Sequence, residues 1–238
     1  MIKKLYYLAK SIYLNYFSKS KVFYLIDFYN WANYNDALNL KIYFKKYLTI
    51  TRSNIGIKNS IIHVGTIYKL LKNKKLINFD SSNKIIVFWP HLNKNLRISK
   101  VVKKNIYKID KIHTCCKQTK LDLINFGINK KKIISIPLSI DSKIFKPAKL
   151  EEKKKLKEKY KIPYDKLVLG SFVKDGVGFG YGHNPKKIKN PQMLIKALKN
   201  IKGKKKLFFI LSGPARGYIK KNLKKIGIDY FHKNCENK

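Results

Sequence analysis

The chain has 238 residues, of which 45% are hydrophobic and 13% aromatic, enough to build folded cores and too much for a disordered polyelectrolyte. Its formal net charge is +41, so any macromolecular partner held by charge must be anionic. No stretch approaches the roughly 20 apolar residues of a membrane span. The three cysteines, two of them adjacent (Cys115 and Cys116), make neither a disulfide framework nor a metal spacing, so a reducing, cytoplasmic setting is expected.

The charge suits nucleic acid, and a lysine-rich, ribosomal-type binding protein is the alternative reading that it supports. Against it, only Arg52, Arg97 and Arg216 are arginines, although arginine is the better bidentate ligand for phosphate and guanine. Lysine is instead spread over almost the whole chain beside abundant Asn, Ile and Tyr, as a biased base composition would impose on any protein. The charge is therefore weak evidence for a dedicated nucleic-acid site.

Residues 2–16 place Ile2, Leu5, Tyr6, Ala9, Ile12, Tyr13 and Tyr16 on one face of a helix, with Lys3, Lys4 and Lys10 elsewhere. That face fits either packing on its own domain or contact with an anionic membrane surface from the inner side. Lys10 interrupts the apolar run and no small-residue cleavage site follows, so the segment does not read as a secretory signal. Strand and helix signals then alternate. Val22–Asp27 reads as a buried strand and Trp31 to Lys46 as a helix. Ile61–Val64, Lys84–Trp89 and Lys111–Cys115 are further strands, followed by a helix over Lys117–Phe126 closed by Gly127 and a strand over Ile133–Pro137. This rhythm predicts an open parallel sheet with helices on its faces.

Residues 146–165 carry prolines around a charged helix, Leu150–Tyr160, and read as a linker between a first domain (1–145) and a second (166–238). The second opens with a strand, Leu167–Phe172, and a glycine-rich loop. A helix follows with Asn190 as N-cap and Pro191 in its first turn, then a strand, Leu207–Leu211, and a helix over Ala215–Ile226. Two strands and two helices make an incomplete nucleotide-binding domain, because a doubly wound sheet needs more partners.

The loop GSFVKDGVGFGYGHNPKKIKNP alternates Gly176, Gly178, Gly180 and Gly182 with bulkier residues. A loop of this kind can bring backbone N–H groups close to phosphates, with Lys174 and Lys189 to neutralise a diphosphate. It fits a flexible surface loop equally well, and it is neither the G-x-G-x-x-G fingerprint nor a Walker A. In the first domain, Asp27 and the Trp89-Pro90-His91 turn fall at strand carboxyl ends, where ligands of α/β sheets bind. His91 is a candidate proton relay or sugar contact, and Asp27 a candidate base. Each has an equally ordinary structural role open to it. His63 and His113 lie on strands and read as core residues. His183 and His232 join no metal constellation.

The runs IPLSIDSKIFKP, LVLGSFVKDGVGFGYG…PKKIKNPQMLIKAL and LFFILSGPARGYIKKNLKKIGIDY, with HTCCKQTKLDLINFGINKKKIISIPLSID ahead of them, resemble the family 4 glycosyltransferases in order from about residue 84 to 230. That resemblance implies a GT-B fold of two Rossmann-like domains with parallel sheets, the second incomplete here. It implies transfer of a hexose, with retention, from a nucleotide-diphosphate-sugar to a glycan or lipid-linked acceptor, as in polysaccharide biosynthesis, with no bound cofactor or metal. By position Lys189 matches the lysine of the family's usual Lys-Gly pair, with Asn190 in place of the glycine. The arginine that many members carry after the first strand of this domain is missing, and Lys174 stands in for it. Gly213 and Arg216, in SGPARGY, fall at the next strand-to-helix turn and complete the expected donor contacts with Gly176 and Gly178. The family's E-x7-E element has no counterpart before residue 238, so the chain by itself is expected to hold the donor weakly.

Overall fold

A computed structural model of the chain describes residues 2–27, 32–72, 75–138, 140–142, 144–178 and 180–234. Trp31, the expected start of the second helix, and Phe179 of the glycine-rich loop lie outside the described residues. The chain divides into two compact units, Met1–Ser142 and Lys143–Lys238.

The first unit contains α1 (Ile2–Phe17), β1 (Val22–Leu25), α2 (Ala32–Phe44), β2 (Leu48–Thr51), β3 (Ile61–Val64), a short hairpin of β4 (Leu71–Lys72) and β5 (Lys75–Leu76), β6 (Lys84–Phe88), α3 (Arg97–Lys104), β7 (Lys111–Thr114), α4 (Lys117–Asn125) and β8 (Ile133–Ser135). Its six-stranded sheet runs β2-β1-β3-β6-β7-β8, and every described pairing in it is parallel. The two-residue period of each strand sorts side chains between faces. Phe23, Leu25, Ile62, Val64, Ile85, Val87, Ile112 and Ile133 form one core with Ile98 and Val102 of α3 and Leu123 of α4. Tyr24, Ile26 and Leu48 turn to the other face, against Ala37 of α2.

The second unit contains α5 (Leu150–Lys159), β9 (Leu167–Ser171), α6 (Pro191–Lys199), β10 (Leu207–Ser212), α7 (Gly217–Lys225) and β11 (Asp229–Lys233). Its parallel sheet runs β11-β10-β9, one strand more than the sequence pattern suggests. β11 (DYFHK) escapes notice because only two of its five residues are apolar, and they are adjacent rather than alternating. Ile195 and Leu198 of α6, Leu207, Phe209 and Leu211 of β10, and Ile219 and Leu223 of α7 form its core. The charged helix α5 belongs to this unit. Its first turn is closed by the Glu152 carboxylate accepting from the Lys149 N–H (2.8 Å), and Tyr160 beyond it packs on Phe231, ring centroids 5.0 Å apart.

α1 does not pack by its apolar side. Ser11 and Asn15 are buried, whereas Leu5, Tyr6, Tyr13, Tyr16 and Phe17 are exposed. The cause lies in its partner, β2, which is the edge strand of the sheet. Ser11 Oγ accepts from the Arg52 N–H (3.2 Å), Asn15 Nδ2 donates to the Ser53 and Ile55 carbonyls (2.8 Å each), and the Ser18 and Thr49 hydroxyls are 2.8 Å apart. The helix thus shields a sheet edge and the chain just beyond it with polar side chains, leaving its apolar side free.

Candidate functional site

Parallel strands bring their carboxyl ends to one edge of each sheet, and both edges carry the residues singled out from sequence. In the first unit, Asp27 follows β1 and the Trp89-Pro90-His91 turn follows β6. Since β3 lies between β1 and β6, the two positions stand two strand spacings apart, about 10 Å. The turn is held from both sides. Trp89 is fully buried and its indole N–H donates to the His91 carbonyl (3.1 Å), while Thr119 Oγ1, in the first turn of α4, donates to the Pro90 carbonyl (2.8 Å). The His91 side chain remains exposed at the edge.

Asp27 is half-buried in a charge cluster that sequence reading missed. Arg52, just past β2, donates through Nε to the Asp27 carbonyl oxygen (3.1 Å). Burial raises the Asp27 carboxyl above its ordinary range, and the charges of Lys69 and Arg52 oppose that shift. Lys69, in the short helical turn after β3, is pulled down by burial and pushed back up by Asp27. Arg52 was legible as one of three arginines; Lys69 was hidden among the many lysines.

His63 and His113, expected to be core residues, line a cavity of about 340 Å³ that reaches from β1 across the sheet to β8, with Tyr24, Phe88, Ile136 and Asp36. His113 Nε2 donates to the Ile136 carbonyl (3.0 Å), which leaves its Nδ1 to accept from His63 Nε2 (3.3 Å). Burial, and then the neighbouring His113, push His63 down to about 4.

In the second unit the glycine-rich loop is not an open cradle. It folds back as a hairpin, with Gly176 bridging Pro185 and the Val177 N–H donating to the Asn184 carbonyl (2.9 Å). The hairpin then docks on the start of α7. The Gly217 and Tyr218 N–H groups donate to the Tyr181 and Gly182 carbonyls (2.6 and 2.9 Å), and the Gly176 N–H donates to the Ala215 carbonyl (3.0 Å). A methyl group at Gly176 or Gly182 would overlap the Ala215 backbone, so these two glycines permit the docking. Gly178 sits at the outer part of the hairpin with open space around it.

Arg216 lies underneath, 1% exposed. Its guanidinium donates to the Val173 carbonyl and to Ser171 Oγ (2.7 Å), and its Nε is 3.6 Å from the Asp175 carboxylate, itself buried. Burial raises Asp175 and lowers Arg216, each opposed by the partner's charge, so desolvation outweighs their mutual attraction on both sides. Its guanidinium, read from sequence as a donor contact, is thus spent on the segment that follows β9. Lys174 is half-buried on that segment.

The start of α6 is the more open feature. The Lys186 N–H donates to the Asp175 carbonyl (2.6 Å), which ties the short turn Lys187–Lys189 to the carboxyl end of β9. Asn190 holds the expected N-cap position of α6, ahead of Pro191, but it is left-handed (φ 43°) and its side chain makes no capping hydrogen bond. The left-handed turn explains the Asn-for-Gly exchange better than capping does, since Asn tolerates this region best after Gly. Lys189 is exposed beside it. Gly213, also left-handed (φ 85°), takes the turn after β10, and its carbonyl accepts from His232 Nε2 (2.9 Å).

The fold that carries these residues is matched among solved structures. The chain superposes on HepE of Anabaena in complex with UDP-glucose at a TM-score of 0.62 and 10% identity, covering 90% of this chain and 69% of that one. The same protein with UDP and glucose gives 0.62 at 11% identity, and with UDP alone 0.55 at 11%, over 90% and 89% of this chain and 69% and 68% of HepE. The likeness is one of fold. It confirms the α/β class with two parallel sheets. The sequence matches no family model and no curated protein.

Proposed function

We propose that the protein is a glycosyltransferase that moves a sugar from a nucleotide-diphosphate-sugar to a glycan or lipid-linked acceptor. The observation that carries this reading is the fold shared with HepE, a protein seen with UDP-glucose, together with a lysine-flanked start of α6 at the carboxyl edge of the second sheet. Lys189 and the start of α6 present positive charge and helix dipole, as a diphosphate requires; Pro191 has no N–H and the Met193 N–H donates to the Asn190 carbonyl, so the Gln192 N–H is the one the helix offers there. Gly178 in the docked hairpin and Lys174 complete the donor side. Arg216 acts as a positioning residue that fixes the segment carrying Lys174. On the acceptor side, Asp27 is the candidate base, its carboxyl raised above its ordinary range by burial against the opposing charges of Lys69 and Arg52, and His91 is the exposed proton relay.

The transferred sugar is a hexose and the reaction is retaining, as the family resemblance implies. The departing diphosphate then carries the developing charge, which is why the cationic contacts are expected to matter more for turnover than any single acid or base. Incubation with a panel of nucleotide-diphosphate sugars and lipid-linked acceptors, scoring nucleotide release, tests the reading. Release with one donor, lowered at least tenfold by Asp27→Asn and reduced by Lys189→Ala, is expected. Absence of release with every donor, alongside RNA binding with a steep salt slope, would replace it with the nucleic-acid reading.

A further inference from the structure

The outward side of α1 has no counterpart in the site described above. Tyr13 is 62% and Phe17 71% exposed, their rings packed on one another at 4.6 Å, and Leu5, Tyr6 and Tyr16 are exposed on the same turns. These five large side chains stand in water on one side of a 16-residue helix because its polar side is committed to the sheet edge. The helix lies alongside β2 in the opposite direction, since Ser18 meets Thr49 at the start of that strand and Ser11 meets Arg52 just past its end. The residues ahead of Ser11 therefore run on past the carboxyl edge, by about 13 Å at 1.5 Å per residue. That edge is where Arg52 holds Asp27.

We propose that α1 is an interfacial anchor that lays the first unit on an anionic membrane surface, with the Asp27–Arg52–Lys69 edge beside the lipid headgroups. The chemistry of the patch selects this occupant. Tyrosine and phenylalanine are the side chains that settle at the boundary between headgroups and acyl chains, because one end is apolar and the other tolerates water. Exposed Lys10 flanks them on α1. Beyond the helix end, the Ser20 hydroxyl donates to the Lys46 carbonyl (2.8 Å), which brings exposed Lys45, Lys46 and Tyr47 alongside. A chain of formal charge +41 adds long-range attraction to an anionic leaflet and repulsion from a second copy of itself. Among the described residues no helix is long and apolar enough to cross a membrane, so α1 lies on the surface. The anchor rests on the transferase reading in one respect only: it makes the acceptor a lipid-linked one, presented from the membrane to the Asp27 edge.

Co-sedimentation of the full chain with vesicles of phosphatidylglycerol and phosphatidylcholine, without nucleotide, tests the anchor apart from the enzyme reading. The wild-type chain is expected to sediment with mixed vesicles and several-fold less with pure phosphatidylcholine. Leu5→Glu/Tyr13→Glu should weaken binding about tenfold or more with an unchanged circular-dichroism melt. Tyr6→Ser/Tyr13→Ser, which alters no charge, should weaken it as well. Equal sedimentation of the serine variant would show that lysine charge alone does the binding and would overturn the proposal. So would a concentration-dependent dimer in solution that the same variant dissociates. Loss of vesicle binding with intact nucleotide release would sink the anchor and spare the transferase; vesicle binding without release would do the reverse.

Discussion

Two side chains, His63 and Arg216, behave differently from what their residue type suggests. His63 is a strand histidine kept neutral by burial and by His113 beside it, with a folded value of about 4 against 6.5 for a free imidazole. The unfolded chain binds its proton first. Stability held above pH 6.5 is therefore expected to fall as pH drops from 6.5 toward 4, and to level off below. Urea unfolding across that window should show the slope, and His63→Gln should flatten it, since Gln keeps a donor for His113 without titrating. Arg216 was legible as a residue at a strand-to-helix turn, but its direction was not: burial decides it, and burial of an arginine is invisible in a lone sequence. Arg216→Ala leaves Asp175 uncompensated and is expected to destabilise the second unit by about 3–5 kcal/mol in urea unfolding. A loss below about 1 kcal/mol would show that the pair is solvated and the stapling role mistaken. Lys189, exposed, should behave oppositely. Lys189→Ala is expected to leave the melt unchanged and to weaken nucleotide binding by about 1 kcal/mol, roughly fivefold.

At the level of elements, the strands with uninterrupted apolar cores were readable. β1, β3, β6, β7, β9 and β10 fall where runs such as VFYL, KIIVF and LFFILS place them. β2 (LTIT) and α3 (RISKVVKK) were not read, the first because its four residues mix Thr with Leu and Ile, the second because five of eight residues are polar. The glycine-rich loop shows a deeper limit. Its alternating glycines suggested a phosphate cradle, and the structure uses two of them to let one backbone touch another. The same residues serve both purposes, and only the partner, Ala215 and the first N–H groups of α7, tells them apart. Gly182→Ala is accordingly expected to lift the hairpin from α7. Amide exchange at Gly217 and Tyr218 should rise, whereas Gly180→Ala, at a position with open space and no left-handed backbone, should leave that protection intact. α1 inverts the usual inference from amphipathicity: periodicity identified the apolar side correctly, but not that the polar side faces the protein.

For the whole molecule, the class and order of elements were legible through the βαβ rhythm, and SFVKDGVG and SGPARGY carried the resemblance from which the glycosyltransferase reading starts. It could not give the charge cluster around Asp27, because Lys69 is one of many lysines and only its position beside Asp27 and Arg52 distinguishes it. The account assigns the donor to the second unit and the acceptor to the carboxyl edge of the first. The donor half is the claim on which the rest depends. It is tested most directly by titrating the isotope-labelled protein with UDP and following backbone amide shifts. The account predicts saturable shifts at Gly178, Lys189, Asn190 and Gly213, with the amides of the first unit's carboxyl edge unmoved by nucleotide alone. Shifts that grow without saturation across lysine-rich surfaces of both units, or none at the start of α6, would contradict it.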